Sequence, residues 1–284
     1  MKTQEPDPVS LLSEAFLARF GSDWGKRLPE VARAIGLDIR YEPASSYDGV
    51  LLRITGVPRG IVVLSSLVRE QSRQRFTLAH EIGHYLLPAQ GVRAPCTRSD
   101  IENWSEELNP PERQANTFAA DVLLPRETIH PYLQQSPRMD HIRAIAGTCE
   151  TSLTATGYRL IELTSFRAAI VWSEDDRARW YKASDEFVRW IRKGQLSAET
   201  FAADCFKGRS VPDALRPVPA TAWLFPKGLQ ERATILEHSI PMPRYNAVLT
   251  LLVISDSIEA WDDENEELDP AEFTINRKHW PTKR

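Results

Sequence analysis

Residues 80–84 read His-Glu-Ile-Gly-His, and this pentapeptide restricts the fold and the chemistry of the chain more than any other segment. Histidines four positions apart lie on the same face of an α-helix, one turn apart. At this spacing the imidazole nitrogens of His80 and His84 can bind one Zn²⁺, each at about 2.0–2.1 Å. Apolar neighbours predict that the helix, which runs from about Ser72 to a stop at Pro88, is largely buried. Because buried imidazoles are costly unless something pairs with them, the segment predicts a metal site.

Glu81 follows the first histidine and sits off the axis that joins the two imidazoles. Its carboxylate can take a proton from a zinc-bound water, and this arrangement is the H-E-x-x-H signature of metalloproteases. The alternative interpretation is a chance match in a helix with two ordinary histidines, and the buried surroundings argue against it. The motif therefore predicts a zinc-dependent peptidase in which Glu81 is the general base.

A catalytic zinc needs a third protein ligand, and Glu112 is the candidate. It begins a second predicted helix over 112–125, which follows two prolines and ends at another. The residues three, four and seven positions later share its face and are short, namely Ala115, Asn116 and Ala119. With Gly83 on the first helix, they would let the helices approach closely enough for Glu112 to reach the metal. The alternative is that Glu112 only places a favourable negative charge in the first helical turn.

The segments RFTLAHEIGH at 75–84 and ERQANTFAADVLLP at 112–125 resemble the ImmA/IrrE family of zinc peptidases. The resemblance implies that His80, His84 and Glu112 bind zinc and that the motif glutamate is the general base. Members typically cleave a helix-turn-helix repressor encoded nearby and so switch on a stress, mobile-element or phage-defence operon. The length and the C-terminal extension are most similar to members of the CapP type, which sit in defence operons.

The chain is long for one domain, at 284 residues, and its pattern changes from helical to alternating near residue 165. We expect an α+β protein that begins with a zincin-like peptidase domain, with a small β-sheet, over 1–130. A helix-turn-helix-like segment packed on it follows over 131–165. A GAF- or PAS-like α+β sensor domain is expected over 166–256 by analogy of fold, and an acidic, then basic tail over 257–284.

Two predicted strands, at 49–54 and 60–64, flank a turn-rich link and form a small sheet beside the predicted zinc helix. An exposed edge strand of such a sheet can hold an extended substrate segment by main-chain hydrogen bonds. The sequence does not identify the edge strand, and a purely structural sheet is the alternative.

The three cysteines, Cys96, Cys149 and Cys205, are odd in number and far apart, which argues against a disulfide framework. With no run of 18 apolar residues and no cationic leader, we expect a cytoplasmic protein without a membrane partner. Cys96 lies on the link between the two metal-ligand helices, and a thiolate is a good zinc ligand. We hypothesise that Cys96 takes the fourth zinc position and inhibits the enzyme. An ordinary loop cysteine is the alternative.

A predicted helix over 185–193 places Arg189, Arg192 and Lys193 on one face, with aromatic residues nearby in the sequence. Cations beside stacking aromatics hold single-stranded nucleic acid, so this domain is a candidate site for single-stranded DNA as an activator. The alternative is a solvated charged face over core aromatics. Residues 140–164 have the outline of a helix-turn-helix, but their few basic residues favour structural packing over operator binding.

The formal net charge is −4, and residues 256–272 hold nine acids and no base. The remainder is close to neutral and gives no sign of a dedicated nucleic-acid binder. The favoured function is a zinc endopeptidase that cleaves a helix-turn-helix repressor to derepress a stress or phage-defence operon, with DNA damage or single-stranded DNA as the candidate trigger. The alternative is a non-proteolytic, zinc-containing regulator that binds a repressor or DNA. A DNA-binding transcription factor would need a basic recognition helix, which 137–165 lacks.

Overall fold

The computed structural model describes residues 8–21, 23–53, 58–87, 110–225, 229 and 232–254 of the chain. Within them, helices and a small sheet form the N-terminal half, and a larger sheet dominates the C-terminal half. The protein is therefore of the expected α+β type. None of the described helices is both long enough and apolar enough to cross a membrane.

The N-terminal half packs helices against a three-stranded sheet. The elements are α1 (Pro8–Phe20), α2 (Leu28–Ala34), β1 (Leu37–Glu42), β2 (Gly49–Arg53), β3 (Gly60–Ser65), α3 (Gln71–Leu86) and α4 (Pro110–Leu123). Strand β3 is central, parallel to β1 and antiparallel to β2, so β1 and β2 are the two edges of the described sheet. The expected pairing of β2 with β3 is confirmed, and the structure identifies β2 as an edge.

Helix α3 runs through the centre of this half. Every residue from Phe76 to His84 is buried, in a core that includes side chains of all the surrounding helices and strands. Trp24 is fully buried in this core, and its indole N–H donates to the carbonyl of Val122 at 2.6 Å. Because α3 is surrounded on all sides, each polar side chain on its buried part needs a partner.

Three shorter helices follow. They are α5 (Arg126–Ile129), α6 (Met139–Cys149) and α7 (Leu153–Leu163). Helix α6 ends at Glu150, which adopts a left-handed conformation with φ of 53°. The hydroxyl of Ser152 then accepts from the amide of Ala155 at 3.1 Å and caps the start of α7. The two helices predicted for this segment are thus present.

The pair α6–α7 contacts both halves of the protein. Its apolar residues, including the fully buried Ile142 and Leu160, share a core with the larger sheet. Toward the N-terminal half, Arg159 of α7 forms an ion pair with Asp121 of α4 at 2.5 Å, and Glu150 forms another with Arg75 of α3. The pair therefore links α3 and α4 to the sheet. The domain boundary expected near residue 165 stays a prediction.

The C-terminal half is a six-stranded antiparallel sheet. Its strands are β4 (Ala168–Glu174), β5 (Arg177–Ala183), β6 (Gly194–Gln195), β7 (Arg216–Pro219), β8 (Thr234–Met242) and β9 (Ala247–Val253), in the spatial order β6-β5-β4-β9-β8-β7. Ile170 of β4 faces the core that contains α6 and α7, and Val171 faces a second core with the short helix α8 (Phe201–Phe206). Burial of both faces explains why β9 is buried along its whole length. The GAF- or PAS-like assignment stays a prediction.

The helix predicted over 185–193 is wrong. Phe187 and Ile191 are buried, as the helical spacing suggested, but Ile191 forms a β-bridge with Leu224. The amide of Arg192 also donates to the carbonyl of Trp223 at 2.8 Å. Main-chain pairing with a distant segment therefore overrides the local helical preference.

Two further segments of this half differ from what their sequence suggests. The mainly apolar residues at 220–225 suggest a strand, but the segment begins as a 3-10 helix, Ala220–Ala222. Strand β7 was not among the predicted strands, and its two prolines, Pro217 and Pro219, are unusual within a strand. The structure accommodates both prolines because β7 lies at the edge of the sheet and pairs only with β8 among the described strands.

Candidate metal centre

Three side chains from α3 and α4 converge on one point. The Nε2 atoms of His80 and His84 each lie 3.0 Å from Oε2 of Glu112. The candidate ligand atoms of the trio all lie within 4.8 Å of one another. Both imidazoles are fully buried, whereas the Glu112 side chain is 15% exposed. The structure thus brings together the three ligands that the sequence predicts.

The helices approach closely because residues with little or no side chain make the contact. A Cβ added to Gly83 would lie 3.0 Å from Cδ1 of Phe118 and 3.3 Å from the Cα of Ala115. A larger residue at position 83 would push α4 away, and Glu112 with it. This is the packing role that the sequence suggested for Gly83 and Ala115.

Asn116 fixes the orientation of His80. Its Oδ1 lies 2.8 Å from Nδ1 of the imidazole, and Asn116 is only 3% exposed. Because an amide oxygen can only accept, Nδ1 carries the proton and Nε2 is left with the lone pair that faces Glu112. The bond from Asn116 to His80 was not predicted from the sequence, where Asn116 was considered for its short side chain. The available signal was its position four residues after Glu112, on the same helical face.

Glu81 lies beside the edge strand β2 and is only 1% exposed. A Cβ at Gly49 would lie 2.9 Å from Oε1 of Glu81 and 2.5 Å from Cγ2 of Thr77, so a glycine is needed for β2 to come this close. The preceding residue, Asp48, accepts from Nε of Arg73 at 2.6 Å, which ties the start of β2 to α3. The carboxylate of Glu81 is therefore held against the main chain at the start of β2.

The C-terminal end of α3 is held by the same strand. The guanidinium of Arg53 donates to the carbonyl oxygens of His84 and Tyr85 at 2.5 and 2.9 Å, and it lies over the Tyr85 ring, 5.5 Å from the ring centroid. Carbonyls at a helix end lack partners within the helix, and a positive charge is favourable there. Arg53 therefore positions the backbone that carries the second histidine.

The donor set fits a divalent metal such as zinc. Two imidazole nitrogens and one carboxylate oxygen are the protein ligands of known catalytic zinc sites, which keep a fourth position open. Donor atoms bound to a tetrahedral zinc lie roughly 3.4 Å apart, and the separation from each Nε2 to the carboxylate oxygen in this site is 3.0 Å. In the neutral imidazole with Nδ1 protonated, Nε2 of His80 and the Glu112 oxygen are two acceptors 3.0 Å apart, and such atoms repel unless a metal cation or a proton lies between them.

The other residues singled out in the sequence do not join this trio. Cys96 lies outside the described residues. Arg189, Arg192 and Lys193 belong to the C-terminal half and share no helical face, since no helix forms there. Arg192 donates to the carbonyl of Thr221 at 3.3 Å, and the ammonium of Lys193 lies 5.7 Å from the ring centroid of Tyr181.

The two described cysteines have the properties of structural thiols. Cys149 and Cys205 are both free and partly buried. Burial raises the pKa of the Cys149 thiol, and burial with nearby carboxylates raises the pKa of Cys205 to about 11. Both are therefore neutral at pH 7, when a metal ligand or nucleophile would need the thiolate.

We expect Asn116→Ala to weaken zinc binding by about 10–100-fold, because His80 would lose the acceptor that fixes its tautomer and ring orientation. Competition with a chromophoric zinc chelator measures the effect. Asn116→Asp keeps an acceptor at the same place and is the matched control, which should retain affinity close to that of the unmodified protein. Equal zinc affinity of Asn116→Ala and the unmodified protein would show that Asn116 has no role at the metal.

Comparison with known proteins finds a related domain in the part of the chain that holds these residues. A family profile described as the IrrE N-terminal-like domain matches residues 32–160. A "Radiation response metalloprotease IrrE" from Deinococcus radiodurans is 30% identical over 131 residues, which cover 45% of this chain and 38% of the relative. The protein of the same name from Deinococcus deserti is 27% identical over 173 residues, covering 58% and 59% respectively. The chain therefore spans less than two thirds of either relative.

The matched range contains the whole candidate metal centre. It begins in α2 and ends in α7, so it includes the His80–His84–Glu112 trio, Glu81 and the strand beside them. The narrower likeness to the CapP type stays a prediction. Over residues 32–160 the chain matches the IrrE N-terminal-like domain, so this part of it is similar to the ImmA/IrrE family that the two sequence motifs resemble.

Proposed function

We propose that this protein is a zinc-dependent endopeptidase whose substrate is a helix-turn-helix transcriptional repressor. The observation that carries the proposal is the convergence of two histidines and Glu112 beside a second buried glutamate, Glu81. A purely structural metal site needs the trio but has no need of Glu81. The metalloprotease name of both relatives supports the same chemistry.

Each residue has a separate task in this proposal. His80, His84 and Glu112 hold the zinc, and Asn116 keeps the first imidazole in the binding tautomer. A zinc ion bound there acts as a Lewis acid and lowers the pKa of water toward neutrality. Glu81 accepts the proton of the attacking water and donates it to the departing amine. Contact with Gly49 keeps its carboxylate in one orientation for both transfers.

Strand β2 is the candidate surface for the substrate. One edge of β2 pairs with β3, and the other has no strand partner among the described residues. Its main chain from Gly49 to Arg53 can therefore pair with an extended segment of the substrate. Because Gly49 contacts Glu81, a segment paired along this edge passes the proton-transferring carboxylate. Leu52 is 50% exposed and offers an apolar contact beside it.

The identity of the substrate rests on the resemblance to the ImmA/IrrE family, because members of that family typically cleave a repressor encoded nearby. Pairing with β2 requires a locally extended segment, whereas the helices of a helix-turn-helix domain are folded. We therefore expect the cut in a linker of the repressor. Cleavage would separate its parts and derepress a stress or phage-defence operon.

Incubation of the zinc-loaded protein with the repressor encoded beside it tests this proposal. Mass spectrometry should find two fragments whose masses sum to that of the repressor plus one water. If the repressor binds the zinc-loaded protein but stays intact under every condition tried, the result contradicts the peptidase proposal. It would then favour the non-proteolytic regulator.

Regulation is proposed on the basis of two sequence features. Cys96 is proposed to hold the fourth zinc position in the resting state, and single-stranded DNA is proposed to release it. The exposed Trp190, 48% accessible, beside Arg189 and Arg192 supports such a DNA contact. We expect added single-stranded DNA to raise the cleavage rate, and Cys96→Ser to be active without it. A Cys96→Ser variant that is no more active than the unmodified protein refutes the inhibition by Cys96. A cleavage rate that does not respond to single-stranded DNA across a range of salt concentrations refutes the activation by DNA.

A further inference from the structure

A pocket away from the metal centre lies where three parts of the protein meet. It has a volume of about 990 Å³, which includes its mouth toward solvent. The start of α3 forms one wall, the turn between α6 and α7 forms another, and the end of the larger sheet forms the third. None of its lining residues is a predicted metal ligand or Glu81.

The wall from the sheet is aromatic. Trp172 of β4 and Trp180 of β5 are cross-strand partners, and their rings are nearly parallel, at 11°, with centroids 6.3 Å apart. Tyr245 meets Trp172 at 63°, with centroids 6.0 Å apart. All three are only partly buried, so their rings remain accessible from the pocket. The faces of such rings attract cations, and tryptophan does so most strongly.

The charged side chains around the pocket, like its aromatic rings, favour a positively charged ligand. Glu174 accepts from the indole N–H of Trp172 at 2.7 Å, so its carboxylate lies at the edge of that ring. Glu70, at the start of α3, also lines the pocket. The third charged lining residue, Arg73, is engaged in its ion pair with Asp48. A guanidinium group suits this arrangement, because its plane stacks on an aromatic face while its N–H groups donate to carboxylates.

We propose that this pocket binds a small guanidinium compound and that its occupancy alters the position of Glu81. The second part rests on the proposed peptidase function. The physical connection is short: Arg73 and Phe76 of α3 line the pocket, and Arg73 holds Asp48. The next residue, Gly49, contacts Glu81. A ligand that shifts the start of α3 therefore acts on the strand that touches the general base.

The binding part is tested on the full chain without a substrate. The probe is N-acetyl-arginine amide, and the neutral control ligand is N-acetyl-citrulline amide, which has nearly the same shape. Calorimetry should give saturable binding of the arginine probe with a Kd below about 1 mM, and at least about tenfold weaker binding of the citrulline probe. No saturation at concentrations well above this, or equal binding of the two probes, overturns the proposal.

Variants locate the binding. Glu70→Gln combined with Glu174→Gln removes both negative charges of the pocket at constant shape and should weaken binding of the arginine probe by about tenfold or more. The exposed Glu186→Gln, outside the pocket, is the matched control and should bind as the unmodified protein does. Circular dichroism verifies that all variants are folded. Undiminished binding by the double variant overturns the assignment to this pocket.

The coupling part has a readout that does not depend on catalysis. Saturation with the arginine probe should change backbone hydrogen exchange at residues 48–53 and 77–84, and the double variant should show no such change. If the probe binds but exchange in both segments stays the same, the coupling is refuted and the binding site stands. If the probe changes hydrogen exchange in these segments but the protein never cleaves a repressor, the peptidase proposal fails. The proposal that the pocket binds a guanidinium compound still stands.

Discussion

Replacement of Glu81 by glutamine should abolish peptidase activity while zinc stays bound. Glutamine has nearly the shape of glutamate and fits the buried position against Gly49, but it cannot accept a proton from water. General acid–base catalysis contributes about 10²–10⁴-fold to rates, so the cleavage rate should fall by at least that factor. The zinc content should remain that of the unmodified protein, because Glu81 is not one of the three ligands.

The measurement combines elemental analysis with a time course of repressor cleavage. The matched control is Glu199→Gln, an exposed glutamate of the C-terminal half, which should cleave at the unmodified rate. Retained cleavage by Glu81→Gln would refute the assignment of the general base. Loss of both zinc and cleavage would instead mean that Glu81 supports the metal.

Replacement of Glu112 by alanine should abolish tight binding of zinc. The two imidazoles alone make a poor site, since a catalytic zinc needs three protein ligands. We expect the affinity to fall by more than the roughly 10–100-fold that loss of an outer partner causes. A metal that binds only the folded state raises its stability, so zinc should raise the Tm of the unmodified protein and leave that of Glu112→Ala unchanged.

A matched control separates this effect from general damage. Glu127→Ala removes an exposed glutamate from the neighbouring helix α5, and it should keep both zinc and the zinc-induced rise in Tm. Far-UV circular dichroism reports whether each variant is folded. A Glu112→Ala protein that binds zinc as tightly as Glu127→Ala would remove Glu112 from the site.

The ligand trio could be predicted because it depends on helical period and on residue chemistry. His80 and His84 are four apart, and Glu112 opens a helix whose small face residues signal a close approach. Asn116 and Gly49 acquired their roles only in three dimensions. The bond of Asn116 to His80 depends on the crossing of two helices, and the contact of Gly49 with Glu81 depends on which strand forms the sheet edge.

The wrong predictions in the C-terminal half also concern features that depend on contacts between distant segments of the chain. The spacing of Phe187 and Ile191 is helical, yet a β-bridge from Ile191 to Leu224, a residue far along the chain, decides the backbone. The prolines of β7 argue against a strand unless the strand is known to be an edge. In both cases the deciding contact is non-local, so local pattern could not reveal it.

The most direct test of the account is a crystal of the zinc-loaded protein measured above and below the zinc absorption edge. We predict one strong anomalous peak within bonding distance of Nε2 of His80, Nε2 of His84 and a carboxylate oxygen of Glu112. A peak elsewhere in the chain, or no peak between these three residues after zinc loading, would contradict it.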